Sequence, residues 1–230
     1  MKLAISFSIS PPGAGKGTQA EFLKEKFGLV HFDTGRCIEE KVRSKEAERD
    51  PILKREKELF DSGILNTPAW VLELTREATN HIAKSGKGIV FSGSPRTIYE
   101  AIGDEKTEGL VKTLADLYGK KNVYFVKINI NEETTIERNR KRVVCSKGGF
   151  PLFSKEDRER CEKLGGEPQK RTLDDPEIIK ERLKEYETRT APIIKRLKEE
   201  NYSILEIDGN PKPSEVFQLL LKTLNLESRK

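Results

Sequence analysis

The stretch "SFSISPPGAGKGTQAEFL", Ser6 to Leu23, most constrains what this chain can fold into. An apolar run rich in β-formers, Leu3 to Ile9, leads into a glycine-rich loop, and a helical pattern from Thr18 to Phe27 leaves it. Strand, loop, helix in that order is the setting in which backbone N–H groups curl around an anion at a helix N-terminus. Gly13, Ala14, Gly15, Lys16, Gly17 and Thr18 form the expected cradle, with Lys16 adding a full charge to the partial charge of the helix end. The pattern G-x-x-x-x-G-K-[ST] is departed from twice, since Ser10 stands at the first glycine and Gly17 at the hydroxyl position. A left-handed backbone at Ser10 would cost roughly 1 kcal/mol, which a loop tolerates.

Apolar runs recur after this unit: "GLVHF" (Gly28 to Phe32), "GIVFSGSPRT" (Gly88 to Thr97), "NVYFVKINI" (Asn122 to Ile130) and "YSILEID" (Tyr202 to Asp208). Helical patterns separate them, at about 36–45, 51–61, 68–84 (capped by Thr67, with Pro68 in its first turn), 104–118, from Asn131 onward, 176–200 and 214–226. Strands alternating with helices predict an α/β fold with a parallel sheet covered on both faces. One segment, Val143 to Leu173, is polar and aperiodic and holds Gly148-Gly149 and Gly165-Gly166, which predicts a projecting subdomain.

The 230 residues suit one core with small subdomains. Charged residues make up 35% of the chain, but basic and acidic ones interleave, as in "KEDRERCEK", so the net charge of +5 reads as solvated helix surface. No basic block with interleaved aromatics is present, so a nucleic-acid partner is not expected. Neither a leader pattern nor a run of membrane-spanning length is found, and the expectation is a cytoplasmic protein without a membrane partner. Cys37, Cys145 and Cys161 are too few, and odd in number, for a secreted disulfide framework.

The segments "PPGAGKGTQAEFLKEKFG", "DTGR", "SGSPRT", "RNRKRV", "RTLDDPE", "KEYETRTAPII" and "EIDGN" occur in the order and spacing of adenylate kinases and related nucleoside monophosphate kinases, which the chain resembles over nearly its whole length. The resemblance implies a P-loop three-layer α/β/α core with a five-stranded parallel sheet (1–33, 67–142, 174–230), a helical monophosphate-binding insertion (34–66) and a long lid (143–173). It implies a monomer that transfers phosphoryl groups from ATP, with Mg²⁺, to a nucleoside monophosphate. Lys16 would contact the β and γ phosphates, Arg96 would bridge donor and acceptor, and Arg138, Arg142, Arg171 and Arg182 would close in from the lid side. Arg138 and Arg142, four apart, would share one helix face and one target. Thr34, Gly35, Arg36, Leu65, Gly93, Arg96 and Glu100 would form the acceptor side. Such a cage of fixed cations suits a phosphoryl group in flight, whose charge lies on its peripheral oxygens.

The chain departs from the family pattern at several of these positions. Ser92 replaces the aspartate of the "DGFPRT" motif, which helps hold the water shell of Mg²⁺, and Ser94 replaces its aromatic. "TGD" reads "TGR", with Arg36 at the acidic position. Mg²⁺ is then expected to ride on the triphosphate and water, with Thr18, Ser92 or Asp33 as helpers. Glu39 stands where an arginine is expected and would repel an acceptor phosphate; Arg36 and Arg43 are candidates to compensate. Glu100 aligns with the glutamine that reads adenine: either it faces the base, where an ionised carboxylate accepts twice and suits guanine better, or it is a surface glutamate. The lid's C-x-x-C pairs are broken, so zinc is not expected. Cys145 and Cys161 are open to two readings, a disulfide in a heat-adapted cytosol or buried thiols, and the thiols are preferred. Two other functions stay open: a nucleotide-binding protein with little transfer activity, or a phosphotransferase or ATPase with another anionic acceptor.

Overall fold

A computed structural model describes residues 2–147, 149–152, 154–170 and 174–227. In chain order its first elements are β1 (Ala4–Ser6), α1 (Lys16–Phe27), β2 (Val30–Phe32), α2 (Thr34–Val42), α3 (Pro51–Ser62), α4 (Pro68–Lys84), β3 (Ile89–Phe91), α5 (Ile98–Ile102), α6 (Leu110–Tyr118) and β4 (Val123–Asn129). Then come α7 (Glu132–Lys141), β5 (Val144–Cys145), α8 (Lys155–Lys163), β6 (Pro168–Gln169), α9 (Pro176–Glu185), α10 (Ile193–Glu199), β7 (Ile204–Asp208) and α11 (Pro213–Thr223).

Five strands form one parallel sheet in the order β2-β3-β1-β4-β7. Both faces are covered, which is why its inner strands read as unbroken apolar runs. Leu3, Ile5, Phe7, Val90, Val126 and Ile128 pack under α1 and α11, with Leu23, Leu220 and Leu221. Ala4, Ile89, Phe91 and Phe125 face the opposite way, onto Leu72, Leu110, Leu114, Ile193 and Leu197 of α4, α6 and α10. The three-layer α/β/α arrangement therefore holds. Its helix connections change face between β1 and β3, and in an open parallel sheet a ligand crevice opens at that switch, beyond the carboxyl ends of the strands.

Three local expectations need correction. The helix expected over 104–118 starts only at Leu110, because the Asp104 carboxylate accepts from the N–H groups of Lys106 and Thr107 at 2.9 and 2.8 Å and folds that segment into a turn. The short α5, capped by Thr97, precedes that turn and was not anticipated. The helix expected over 176–200 is interrupted at Tyr186–Thr190 by a wide turn, in which Ala191 N–H donates to Tyr186 O at 2.8 Å, five residues back, immediately before Pro192. Thr67 does precede α4 but makes no side-chain cap, since its hydroxyl and its N–H both donate to the fully buried Glu56 of α3.

Beyond α7, β5 and β6 pair antiparallel and carry α8 between them. Cys145 and Cys161 are joined as a disulfide, which overturns the preference for thiols. The partners meet because α8 folds back on the β5–β6 pair and buries both sulfurs with Leu152, Val143 and Phe150. Gly166 is the residue that lets this happen, as a Cβ there would lie 2.6 Å from Cys145 Sγ. Among the described residues, no helix is long and apolar enough to cross a membrane.

Candidate active site

A cleft of roughly 1070 Å³ opens at the switch between β1 and β3. The site residues expected from the sequence line it, except Arg43, which points elsewhere, and Arg171, which lies outside the described residues.

The loop after β1 forms its floor. Gly13 and Gly15 take left-handed backbones, with φ +79° and +87°, and Gly15 is the N-cap of α1. A Cβ on Gly13 would also come within 2.7 Å of Asn139 Nδ2 on α7, so this position must be glycine for two reasons. Ser10 needs no left-handed conformation, contrary to expectation, since among the described residues only Asn201 and Asn225 are non-glycines with positive φ. Its buried hydroxyl accepts from Ile128 N–H at 2.9 Å and donates to Val126 O at 3.3 Å, tying the loop to β4.

Lys16 projects back over this loop, with Nζ donating to Ser10 O at 2.9 Å and Pro11 O at 2.7 Å. Its pKa is held well below the usual lysine value by burial and then by the charges of Arg96, Arg182 and Arg142, with Asp33 opposing them weakly. One ammonium thus feels three guanidiniums arriving from three separate segments, a concentration of positive charge that only an anion can relieve.

The arginines are held by different means. Arg96 is half-buried, and its Nε is buried without a hydrogen-bond partner. Arg142 grips Asp174 through Nε at 2.9 Å and through Nη2, while Arg182 Nη1 stands 3.8 Å from the same carboxylate. Arg138 instead donates to Gly209 O at 2.8 Å and Asn210 O at 3.1 Å. Arg138 and Arg142 do not share a helix face as expected, because α7 ends at Lys141 and Arg142 is already extended (ψ 130°), although both line the cleft.

On the acceptor side, Asp33 caps α2 by accepting from Arg36 N–H at 3.2 Å. Thr34 is buried and its hydroxyl donates to Ser94 Oγ at 3.0 Å; a Cβ on Gly93 would lie 3.2 Å from Thr34 Cβ. Leu65 N–H donates to Glu185 Oε2 at 2.8 Å. Arg36 Nε donates to Glu40 Oε1 at 2.8 Å, and both residues line the cleft. Glu39 does not line it: Arg43 draws Glu39 toward Asp61 on α3, with contacts of 3.3 and 2.9 Å, so the anticipated repulsion of an acceptor phosphate falls away, and Arg43 is no substitute ligand.

Glu100 is buried in the cleft wall, which excludes the surface reading. Its Oε2 accepts from Arg96 N–H at 2.8 Å and its Oε1 from the Thr97 hydroxyl at 3.0 Å. Burial pushes its pKa up to about 7 against these hydrogen bonds and the nearby arginines.

Sequence reasoning missed a hydrogen-bonded series in the same cleft. His31 Nδ1 lies 2.7 Å from Glu21 Oε1, and His31 Nε2 lies 2.9 Å from Ser92 Oγ. Burial acts to raise the Glu21 pKa, but the hydrogen bonds and charges of His31 and Lys24 outweigh it and hold the group at about 2. An ionised carboxylate can only accept, so His31 donates to Glu21 from Nδ1, which leaves Nε2 facing the Ser92 hydroxyl. The signal available was a histidine inside the apolar run "GLVHF".

Fold and site together define a P-loop phosphotransferase that binds nucleotides. The adenylate kinase family profile matches residues 8–202. An adenylate kinase of Caldicellulosiruptor saccharolyticus is 31% identical over 233 residues, covering 99% of this chain and all of the relative. Adenylate kinases of Carboxydothermus hydrogenoformans and Archaeoglobus fulgidus are 33% and 32% identical, covering 97% and 87% of this chain and 99% and 88% of the relatives. The chain belongs to the adenylate kinase family, and its activity is ATP-dependent phosphoryl transfer to a nucleoside monophosphate.

Proposed function

We propose that the chain phosphorylates AMP, with the ATP phosphates in the 13–18 loop and the acceptor between α2, Gly93 and Glu100. The observation that carries this reading is the convergence of Arg96, Arg142 and Arg182 on Lys16. Lys16 leaves the loop carbonyls for the β and γ phosphates. Arg96, whose Nε still lacks a partner, bridges donor and acceptor phosphates. Arg142 and Arg182 surround the group in flight. Once ATP is bound these cations are in place before the chemical step, so no solvent has to reorganise as charge moves.

The lid (143–173) and the insertion (34–66) close over the core (1–33, 67–142, 174–230) to keep water from the reacting phosphate. In support, a Cβ on Gly149 in the lid would lie 3.6 Å from Arg36 Cδ on α2, so lid and insertion already meet across the cleft.

Among the described residues, no group of three or more His, Cys, Asp or Glu side chains could hold a metal ion. Thr18 and Asp33 offer the cleft single oxygens, a donor set that fits a Mg²⁺ carried by the triphosphate and water and not one caged by protein. When bound, that ion neutralises phosphate charge.

Glu100 would read the base. Protonated, it donates and accepts as an amide does and suits adenine; ionised, it accepts twice and suits guanine. The test supplies ATP and Mg²⁺ with AMP, GMP, CMP or UMP and follows diphosphate formation by chromatography. AMP should be turned over, with loss of activity in Lys16→Ala and Arg96→Ala; turnover of GMP alone across the neutral range would overturn the assignment of adenine.

A further inference from the structure

The Glu21–His31–Ser92 series has the order of an activated nucleophile, with a carboxylate that orients an imidazole and the imidazole within hydrogen-bond reach of a hydroxyl, at 2.7 and 2.9 Å. Its placement follows from the sheet. His31 pairs in register with Val90, so Ser92, two residues on, is its diagonal neighbour on the same face, and Val90 packs under α1, the helix that carries Glu21. The His31 ring is buried, and both its nitrogens are engaged within the series.

Ser92 leaves β3 beside the strand that feeds the phosphate loop, for Phe7 N–H donates to Phe91 O at 3.0 Å. Ser92, Lys16 and Arg96 line one cleft, and Glu21 lies on the same helix whose N-terminus forms the loop. A hydroxyl in hydrogen-bond reach of an imidazole thus lines the same cleft as the phosphate loop.

We propose that Ser92 is a phosphorylation site that the chain fills from its own bound ATP when no acceptor monophosphate is present. This rests on the reading that ATP occupies the 13–18 loop. Ser92 Oγ attacks the γ phosphorus, the bond from that phosphorus to the β,γ-bridging oxygen breaks, and ADP departs. The hydroxyl proton passes to His31 Nε2, and Glu21 stabilises the resulting imidazolium. The product, a phosphoserine of about two negative charges beside Lys16 and Arg96, would then compete with the phosphates of the next ATP.

The test incubates the full chain with Mg²⁺ and ATP labelled at the γ phosphate, without acceptor, and locates the label by peptide mass spectrometry. Acid-stable label on Ser92 is expected, lost in Ser92→Ala and retained as phosphothreonine in Ser92→Thr, which guards against a folding defect in the alanine variant. His31→Gln and Glu21→Gln should slow labelling at least tenfold. A preparation that makes nucleoside diphosphate from an acceptor yet carries no label, or carries it elsewhere, would overturn the proposal and leave the kinase reading standing. A preparation that does neither would overturn both, and labelling of Ser92 that is indifferent to His31→Gln would remove the base.

Discussion

Arg142 holds Asp174 with two nitrogens of its guanidinium, and the same carboxylate lies 3.8 Å from Arg182. The Asp174 side chain is 5% exposed and holds two cations that line the cleft, where the proposed reaction needs them for phosphate. It is a positioning residue: it sets where the guanidiniums wait and gives way when a stronger anion arrives. Asp174→Asn keeps the shape and removes the charge. Steady-state kinetics should show kcat reduced roughly tenfold or more with a smaller change in the KM for ATP, since the loss falls on transition-state contacts; an unchanged kcat would mean that the arginines orient themselves.

Glu100 makes stability and base choice depend on pH. Its folded pKa, about 7, lies above its ordinary 4.5, so the folded chain holds a proton that the unfolded chain has lost. Stability therefore falls as pH rises from about 4.5 to 7, by at most about 3 kcal/mol. Chemical denaturation of Glu100→Gln at pH 5 and pH 8 should show this slope flattened. In the unsubstituted chain the ratio of AMP to GMP turnover should decrease as pH rises through 7, and a constant ratio would remove Glu100 from base reading.

Glu56 is fully buried and receives hydrogen bonds from Thr67 N–H, the Thr67 hydroxyl, Asn66 Nδ2 and Arg55. It pins the middle of α3 to the start of α4. Glu56→Ala strands these donors and should destabilise the chain by about 3 kcal/mol. Scanning calorimetry should record a clear fall in Tm for alanine and a smaller one for glutamine.

Gly13→Ala meets both a left-handed backbone and the Asn139 amide, in a loop that contributes little to the core. Equilibrium binding should show ATP affinity down at least tenfold, while Tm changes by only a few degrees.

Thiol titration of the denatured, unreduced chain should find one free group, Cys37, against three after reduction. The bridge closes a 16-residue separation, for which loop entropy gives about 3 kcal/mol. That contribution is confined to the β5–α8–β6 segment, so reduction should raise amide exchange there and leave the five-stranded sheet protected.

The five strands and the phosphate loop were legible because each is a short-range signal: an apolar run, or glycines before a lysine. The cleft-facing arginines were legible only through family motifs, since nothing in the spacing of Arg96, Arg142 and Arg182 tells that distant segments bring them together. Three kinds of feature escaped. Asp174 and His31 gain their roles from partners 32 and 61 residues away. Glu39 and Arg43 were misplaced because the ion pair of Arg43 with Asp61, which turns the Arg43–Glu39 pair away from the cleft, depends on how α2 packs on α3. The disulfide depends on the fold of a segment with no periodicity to read.

The wide turn at Tyr186–Thr190 carries a consequence of its own. An α-helix advances about 100° per residue, so one extra residue in the turn re-phases everything after it. Upstream, α9 aims Arg182 at the cleft; downstream, α10 buries Ile193 and Leu197 against the sheet. The two faces agree only because of that slip, and Thr190 and Tyr186, donating to Arg96 O and Ile9 O, fix it in place. Deleting a single residue here would swing the arginine away from the nucleotide or lift the downstream leucine off the sheet, so the length of this segment is as much a part of the catalyst as any side chain.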